Sequence, residues 1–172
     1  SLFVAIDDNP KHIRQHLAPL LTRPVKEYED SKLIRFVDAY SWSTFQQPED
    51  ELFYISGMLE LNHLSGVISD ASYELGQTIQ HKCGGRRVVD SISSLLINFE
   101  ISSAQRFISQ IARTAVSFGD VTTLFIIESG AVDSQALNNI KYVMDGVLEF
   151  DVVDGKKSVS YTHLRAHETH ND

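Results

Sequence analysis

The stretch Leu2-Phe-Val-Ala-Ile-Asp7-Asp8-Asn9-Pro10-Lys-His-Ile13 decides how the rest of the chain is read. An apolar run ends in two acids, and Asn9-Pro10 then supplies a helix start. Asn9 suits the capping position, and Pro10 suits the first helical position, where its missing N–H costs nothing. Ile13, Leu17, Leu20 and Leu21 follow at helical spacing, and Pro19 is expected to kink or end the helix. The reading is therefore strand, acids, helix. Four more apolar, β-branched or aromatic runs repeat it: Leu33–Val37, Val88–Val89, Thr122–Ile127 and Val147–Phe150. Between them lie helical patterns. One runs from about Asn62 to Cys83, with Leu64, Ile68, Ala71, Leu75 and Ile79 on its buried face and Gly84-Gly85 as its stop. Another starts at Ser102 or Ser103 and carries Phe107, Ile108, Ile111, Ala115 and Val116 to Gly119. A third starts near Asp133 with Leu137, Ile140 and Val143. The polar, aromatic region from Tyr40 to Glu60 reads as a long loop with one short element around Phe53–Ile55. Strands that alternate with helices imply βαβ units, and runs too apolar to alternate imply strands covered on both faces. The sequence thus predicts an α/β three-layer sandwich with a mostly parallel sheet.

Composition agrees. The chain has 172 residues, 42% hydrophobic and 22% charged, which is globular and excludes disordered, collagenous and disulfide-scaffold classes. No apolar run approaches the roughly 20 residues of a membrane span. The net charge of −8 argues against a primary nucleic-acid surface. Cys83 is the single cysteine, cannot form an internal disulfide, and fits a reducing cytoplasm. There is no signal-peptide pattern, and Ser1 opens directly onto an apolar run, so the chain is expected to begin inside a longer protein.

Four of the strand candidates end in acid. Asp7 and Asp8 follow Ile6, Asp38 follows Val37, Asp90 and then Ser91 follow Val89, and Glu128 and then Ser129 follow Ile127. In a doubly wound sheet, the C-terminal strand edge is where ligands bind. Parallel strands would gather these carboxylates there. Gathered like charges cost energy unless a cation or hydrogen bonds offset them, and carboxylates with waters and phosphate oxygens are a Mg²⁺ environment. Any one acid also reads as a helix cap, and Asp38 reads only as a turn residue.

Taken together, these residues resemble the KaiC-like ATPases of the RecA superfamily of P-loop NTPases. Phe3-Val-x-x-Asp7-Asp8-x-Pro10-x-x-Ile13 is similar to the family's strand after the P-loop helix. Arg86-Arg-Val-Val-Asp90-Ser91-Ile-Ser93-Ser94-Leu95 resembles its Walker B strand with an Asp-Ser-x-Ser tail. Arg106-Phe-Ile, Gly119-x-x-Thr122-Thr-Leu with Glu128, and Val143-x-Asp145-Gly146-Val-Leu-Glu149 resemble later elements. The resemblance spans nearly all of residues 1–157. It implies ATP and Mg²⁺ in the intact protein, with Asp90 as the metal residue and Ser91 beside it in the cofactor site. It also implies that Asp7 and Asp8 orient or deprotonate the attacking water, and that Glu128 stands near the γ-phosphate. A homo-oligomer and a signalling protein partner are implied too. Three departures stand out. The acid pair is Asp-Asp where the family usually has Glu-Glu. Only Val88-Val89 precedes Asp90. No Gly-x-x-x-x-Gly-Lys-[Ser/Thr] occurs anywhere in the sequence, so the chain by itself is expected to be inactive. A non-hydrolysing nucleotide-sensing paralogue is the alternative. A receiver-type signalling domain fits Asp7-Asp8 but not the spacing to Asp38.

Residues 1–157 are therefore expected to form a partial ATPase domain lacking its P-loop. Val159-Ser-Tyr-Thr-His-Leu-Arg-Ala-His-Glu-Thr169 resembles a translated sequencing adaptor. Residues 158–172 are accordingly expected to be a non-native tail packed against nothing, and the helical spacing of His163, His167 and His170 is not read as a zinc site.

Overall fold

A computed structural model of the chain describes residues 1–44, 48, 50–77, 84–117, 120–128, 130–153 and 156–163. It has two compact units, Ser1–Ala131 and Val132–Asp172. The first holds five strands: β1 (Leu2–Ala5), β2 (Arg35–Asp38), β3 (Phe53–Tyr54), β4 (Gly85–Asp90) and β5 (Val121–Phe125). They form one sheet in the order β3-β2-β1-β4-β5, with every neighbouring pair parallel. The short element expected around Phe53–Ile55 is the edge strand β3.

Helices cover both faces, as a three-layer α/β sandwich requires. On one face Phe3, Ala5, Ile34 and Phe36 pack with Ile13 of α1 (Pro10–Leu17) and Val25 of α2 (Val25–Asp30). The Phe3 and Phe36 rings stack there with centroids 5.4 Å apart. The alternate residues Leu2, Val4, Val37 and Val89 are fully buried on the other face. Helices α3 (Leu61–Glu74) and α5 (Ile101–Ser117) lie there, and α4 (Ser93–Asn98) leads into α5. Arg87 of β4 reaches both covering helices, donating to Ser72 Oγ of α3 at 3.0 Å and to the Ile111 carbonyl of α5 at 3.3 Å.

Local chemistry explains the boundaries. Asn9 caps α1 by accepting from the Lys11 N–H at 2.9 Å, with Pro10 at the first position. The helix stops at Leu17, and Pro19 sits in a 3₁₀ turn, Ala18–Leu20. Helix α3 ends at Glu74, earlier than its hydrophobic pattern suggests. Gly76, at φ 73°, supplies the left-handed turn that stops it. Ile79 and Cys83, placed on that helix by the sequence, lie outside the described residues, as does Gly119. Helices α2 and α4 have six residues each, too few to show a period.

The run Val147–Phe150 does not join the parallel sheet. It lies in β6 (Gly146–Val153) of the second unit, after α6 (Ser134–Tyr142), whose cap Asp133 accepts from the Ala136 N–H at 2.9 Å. β6 pairs antiparallel with β7 (Lys156–His163). Residues 158–163, expected to lack contacts, are thus in a strand ladder. The cause is visible in the register. Leu148 faces Tyr161 and Phe150 faces Val159, two apolar cross-strand pairs on one face of the ribbon.

The strand order positions the site. From β1 the chain steps outward to β2 and β3, then returns to the far side of β1 for β4 and β5. Connections leave β1 and β4 toward opposite sides, which opens a crevice at their C-terminal ends.

Candidate functional site

The ends of β1 and β4 are locked by their backbones. Ala5 stands level with Asp90, and the N–H groups of Ile6 and Asp7 both donate to the Asp90 carbonyl, at 2.6 and 3.2 Å. The β5 end is tied in the same way. The Ile126 N–H donates to the Val89 carbonyl at 3.0 Å, and the Ile92 N–H donates to the Ile126 carbonyl at 2.9 Å. The peptide bond between Asp90 and Ser91 is cis. These contacts place Asp7, Asp8, Asp90, Ser91 and Glu128 at one sheet edge, where the sequence put them.

The side chains of these acids have different partners. Ser91, 2% exposed, donates its hydroxyl to Asp7 Oδ2. Asp8 turns the other way, accepting from the Asn9 N–H at 2.8 Å and pairing with His12 Nδ1 at 3.0 Å. Glu128 is exposed, and its N–H donates to Ser93 Oγ at 2.9 Å. Asp90 is half-buried. Burial first, then the charges of Asp7, Asp8 and Glu128, hold its carboxyl above the usual carboxylate range. The charges of Asp7, Asp8 and Glu128 thus all reach Asp90.

Asp38 is also level with Ala5 but takes no part. Its carboxylate accepts from the N–H groups of Tyr40 and Ser41, at 2.9 and 2.8 Å, and from Ser41 Oγ at 2.6 Å. It is a buried turn cap, as the sequence suggests. Two partners are not evident from the sequence. His12 stands four residues after Asp8, the spacing that puts two side chains on one helix face. Ser93 closes the Asp90-Ser91-x-Ser93 string, but its bond to Glu128 spans 35 residues and no local pattern announces it.

Among the described residues, no three His, Cys, Asp or Glu side chains converge as a preformed metal cage. The donor set fits Mg²⁺ nonetheless. That ion keeps several waters and takes one or two carboxylates together with phosphate oxygens. Asp90, half-buried at the end of β4, is a carboxylate that could serve. A cleft of about 830 Å³ lies elsewhere, lined in part by Arg14, Glu29, Arg35, Phe36 and Glu51. It contains none of the strand-end acids. Arg14 there is engaged by both Glu29 and Glu51.

A parallel sheet between two helical layers, with acids at the switch point between β1 and β4, defines a RecA-like nucleotide-binding core. Residues 1–165 match the family described as "ATPase: KaiC", and the chain belongs to that family. The receiver alternative falls with this match. UPF0273 protein PF1931 of Pyrococcus furiosus is 24% identical over 159 residues, covering 90% of this chain and 60% of its own length. A UPF0273 protein of Aeropyrum pernix matches to the same extent, 24% over 159 residues, again 90% of this chain and 60% of the relative. The chain thus spans 60% of the length of these curated relatives. Two solved structures share the fold. The KaiC-like protein PH0186 of Pyrococcus horikoshii has a TM-score of 0.63 at 16% identity, covering 98% of this chain and 67% of that one. Protein PH0321 of the same organism, solved with an unknown peptide, has a TM-score of 0.68 at 14% identity, covering 95% and 71%. No helix among the described residues is long and apolar enough to cross a membrane.

Proposed function

We propose that the intact protein is a Mg²⁺-dependent ATP hydrolase that couples its nucleotide state to contacts with a second subunit or a signalling protein in the cytoplasm. The carrying observation is the junction of Asp7, Ser91 and Asp90 at the switch point between β1 and β4. Asp90 holds the metal, directly or through water. Asp7 and Asp8 orient or deprotonate the attacking water, and Glu128 approaches the γ-phosphate. Phosphoryl transfer to water depends on positioning and charge stabilisation more than on covalent chemistry, and bound Mg²⁺ supplies the positive charge. The raised affinity of Asp90 for protons marks a carboxylate poised to gain from a cation. An oligomer fits the family.

A second reading is favoured by one observation. Asp8 is committed to His12 and Asn9, which leaves Asp7 as the acid facing Asp90, and Asp is one methylene shorter than Glu. A protein that binds nucleotide but positions water poorly would be a nucleotide sensor. The test is ATP turnover and Mg-ATP binding in a longer version of the protein that includes a Gly-x-x-x-x-Gly-Lys-[Ser/Thr] loop. Turnover that Asp90→Asn abolishes supports the hydrolase. Binding without turnover gives the lead to the sensor. Binding and turnover both indifferent to Asp90→Asn remove the site.

A further inference from the structure

Three buried or half-buried groups form a continuous hydrogen-bonded line across the strand ends. Ser91 Oγ bonds Asp7 after β1. The Ser93 N–H donates to Ser91 Oγ at 3.2 Å. Ser93 Oγ accepts from the Glu128 N–H, after β5, at 2.9 Å. Ser93 itself is 3% exposed. A serine at a helix start ordinarily caps its own helix, accepting from an N–H two or three residues on. Here Ser91 does that local work for α4, accepting from residue 93. The Ser93 hydroxyl is thereby free to accept across the sheet, 35 residues away.

We infer that Ser93 is a positioning residue of the nucleotide site, one that sets Glu128 and Asp7 at fixed places on either side of Asp90. The inference rests on the proposed function for what the site does, but the geometry stands independently of it. Ser93 touches neither metal nor phosphate. It acts through Glu128 on one side and through Ser91 on the other. Without its hydroxyl, the Glu128 N–H loses its partner at the start of α4, while the Ile126 backbone bonds to Val89 and Ile92 still hold the end of β5. The Ser91–Asp7 bond and the Ser93 N–H bond to Ser91 Oγ remain.

The test uses the full chain with Mn²⁺ alone as probe, read by amide NMR and hydrogen exchange. In Ser93→Ala the Glu128 amide should exchange about fivefold faster, as loss of one hydrogen bond implies. Glu128 resonances should shift, those of Asp7 should shift less because the Ser93 N–H that holds Ser91 is kept, and Mn²⁺ broadening at Asp90 should need a higher concentration by a similar factor. Ser93→Thr, which keeps the hydroxyl, should restore all three. Ser72→Ala is the control. Ser72 is a buried serine of the same unit whose hydroxyl donates to the Ile68 carbonyl at 2.8 Å and accepts from Arg87, neither of them a strand-end acid. It should leave Glu128 and Asp7 unmoved. An unchanged Glu128 amide in Ser93→Ala overturns the inference, and so does an equal response in Ser72→Ala. If Ser93→Ala does not fold, Ser93→Thr decides: a folded protein with an unprotected Glu128 amide sinks it. If the unmodified chain shows no Mn²⁺ broadening near Asp90, the metal reading fails, while the exchange and shift of the Glu128 amide still judge Ser93.

Discussion

The Ser91 hydroxyl donates to the Asp7 carboxylate and so joins the end of β4 to the end of β1. Asp8, the next residue, points its carboxylate at its own helix instead, to Asn9 and His12. Two adjacent acids of one chemistry therefore have different surroundings. In an intact protein, Asp7→Asn should lower kcat by about 100-fold or more, the scale of a lost general base, while Mg-ATP affinity stays similar. Asp8→Asn should cost less in kcat and more in the stability of α1. Equal losses from the two substitutions would return Asp8 to the site.

Asp90 makes a prediction about pH. Its folded pKa is raised by burial and by Asp7, Asp8 and Glu128. The folded state then binds the proton more tightly than the unfolded one. Its contribution to stability is fully present below the ordinary Asp value, about pH 4, and is lost as pH rises through the higher folded value. Asp90→Asn removes this loss. Thermal melts should show the variant gaining on the unmodified chain as pH goes from about 4 to 7. The same substitution should weaken Mg-nucleotide binding in the intact protein, a site that trades stability for function. A stability difference that does not change across that range contradicts the assignment.

Much of this architecture is legible in the residues themselves. Asn9-Pro10 announces α1 because a cap and an N1 proline act through local backbone chemistry. The parallel sheet is legible in Leu2–Ile6, too apolar for a strand with a wet face; Thr122–Ile127 reads the same way, but in the structure Leu124 and Ile126 stay exposed. The acids are legible because each closes such a run. What escapes depends on distance in the chain. Nothing near Asp8 distinguishes it from Asp7; only the Ser91 hydroxyl, 84 residues from Asp7, does so. The run Val147–Phe150 resembles a sheet strand because apolarity does not state a partner, and its partner is β7. The stop of α3 at Gly76 is hidden by a hydrophobic period that continues to Ile79, and one glycine outweighs that period when its φ turns positive.

Arg87 is a buried cation that no sequence pattern flags. It is 3% exposed, and burial takes its pKa down to about 10. Its hydrogen bonds go to neutral groups, Ser72 Oγ and the Ile111 carbonyl, and no carboxylate is among them. The charge therefore penalises the fold at neutral pH, and the penalty is relieved as pH rises from about 10 toward the usual arginine value. Arg87→Met should be neutral or stabilising, by about 1 kcal/mol or more, as when buried charge is replaced by apolar bulk. Urea titration at pH 7 measures it. Marked destabilisation would mean that the guanidinium bonds outweigh its desolvation.

Arg14 is the opposite case. It donates to Glu29 at 2.7 and 3.1 Å, engages Glu51 through both terminal nitrogens, and lies 4.1 Å above the Phe36 ring. It thereby ties α1 to α2 and to the segment entering β3. Arg14→Ala leaves two carboxylates facing each other and should cost about 2 kcal/mol, the scale of hydrogen bonds to charged groups. Arg14→Lys should recover little of it, because an ammonium cannot reproduce the planar fork or the stacking on Phe36. Full recovery by lysine would show that only the charge matters.

The last prediction concerns what the chain can bind by itself. Its strand-end acids carry negative charge, and a triphosphate carries more. Binding requires donors that this sequence does not encode: the backbone N–H cradle and the lysine of a Gly-x-x-x-x-Gly-Lys-[Ser/Thr] loop. The fold shows where a strand bearing such a loop has room. Among the described residues β5 pairs only with β4, and Leu124 in it and Ile126 just after it are 49% and 42% exposed. A strand laid against that edge would cover apolar surface and bring its C-terminal loop to the side of Glu128 and Asp90. The 172-residue chain should therefore bind Mg-ATP poorly and hydrolyse none. A version extended upstream of Ser1 by a strand, the loop and a helix, roughly 40 residues or about one βαβ unit, should bind Mg-ATP and protect the β5 amides from exchange. Calorimetry and hydrogen exchange on the two proteins decide the matter. Tight Mg-ATP binding by the shorter one would mean that the acids are not arranged around a P-loop, and the hydrolase proposal would have to be given up.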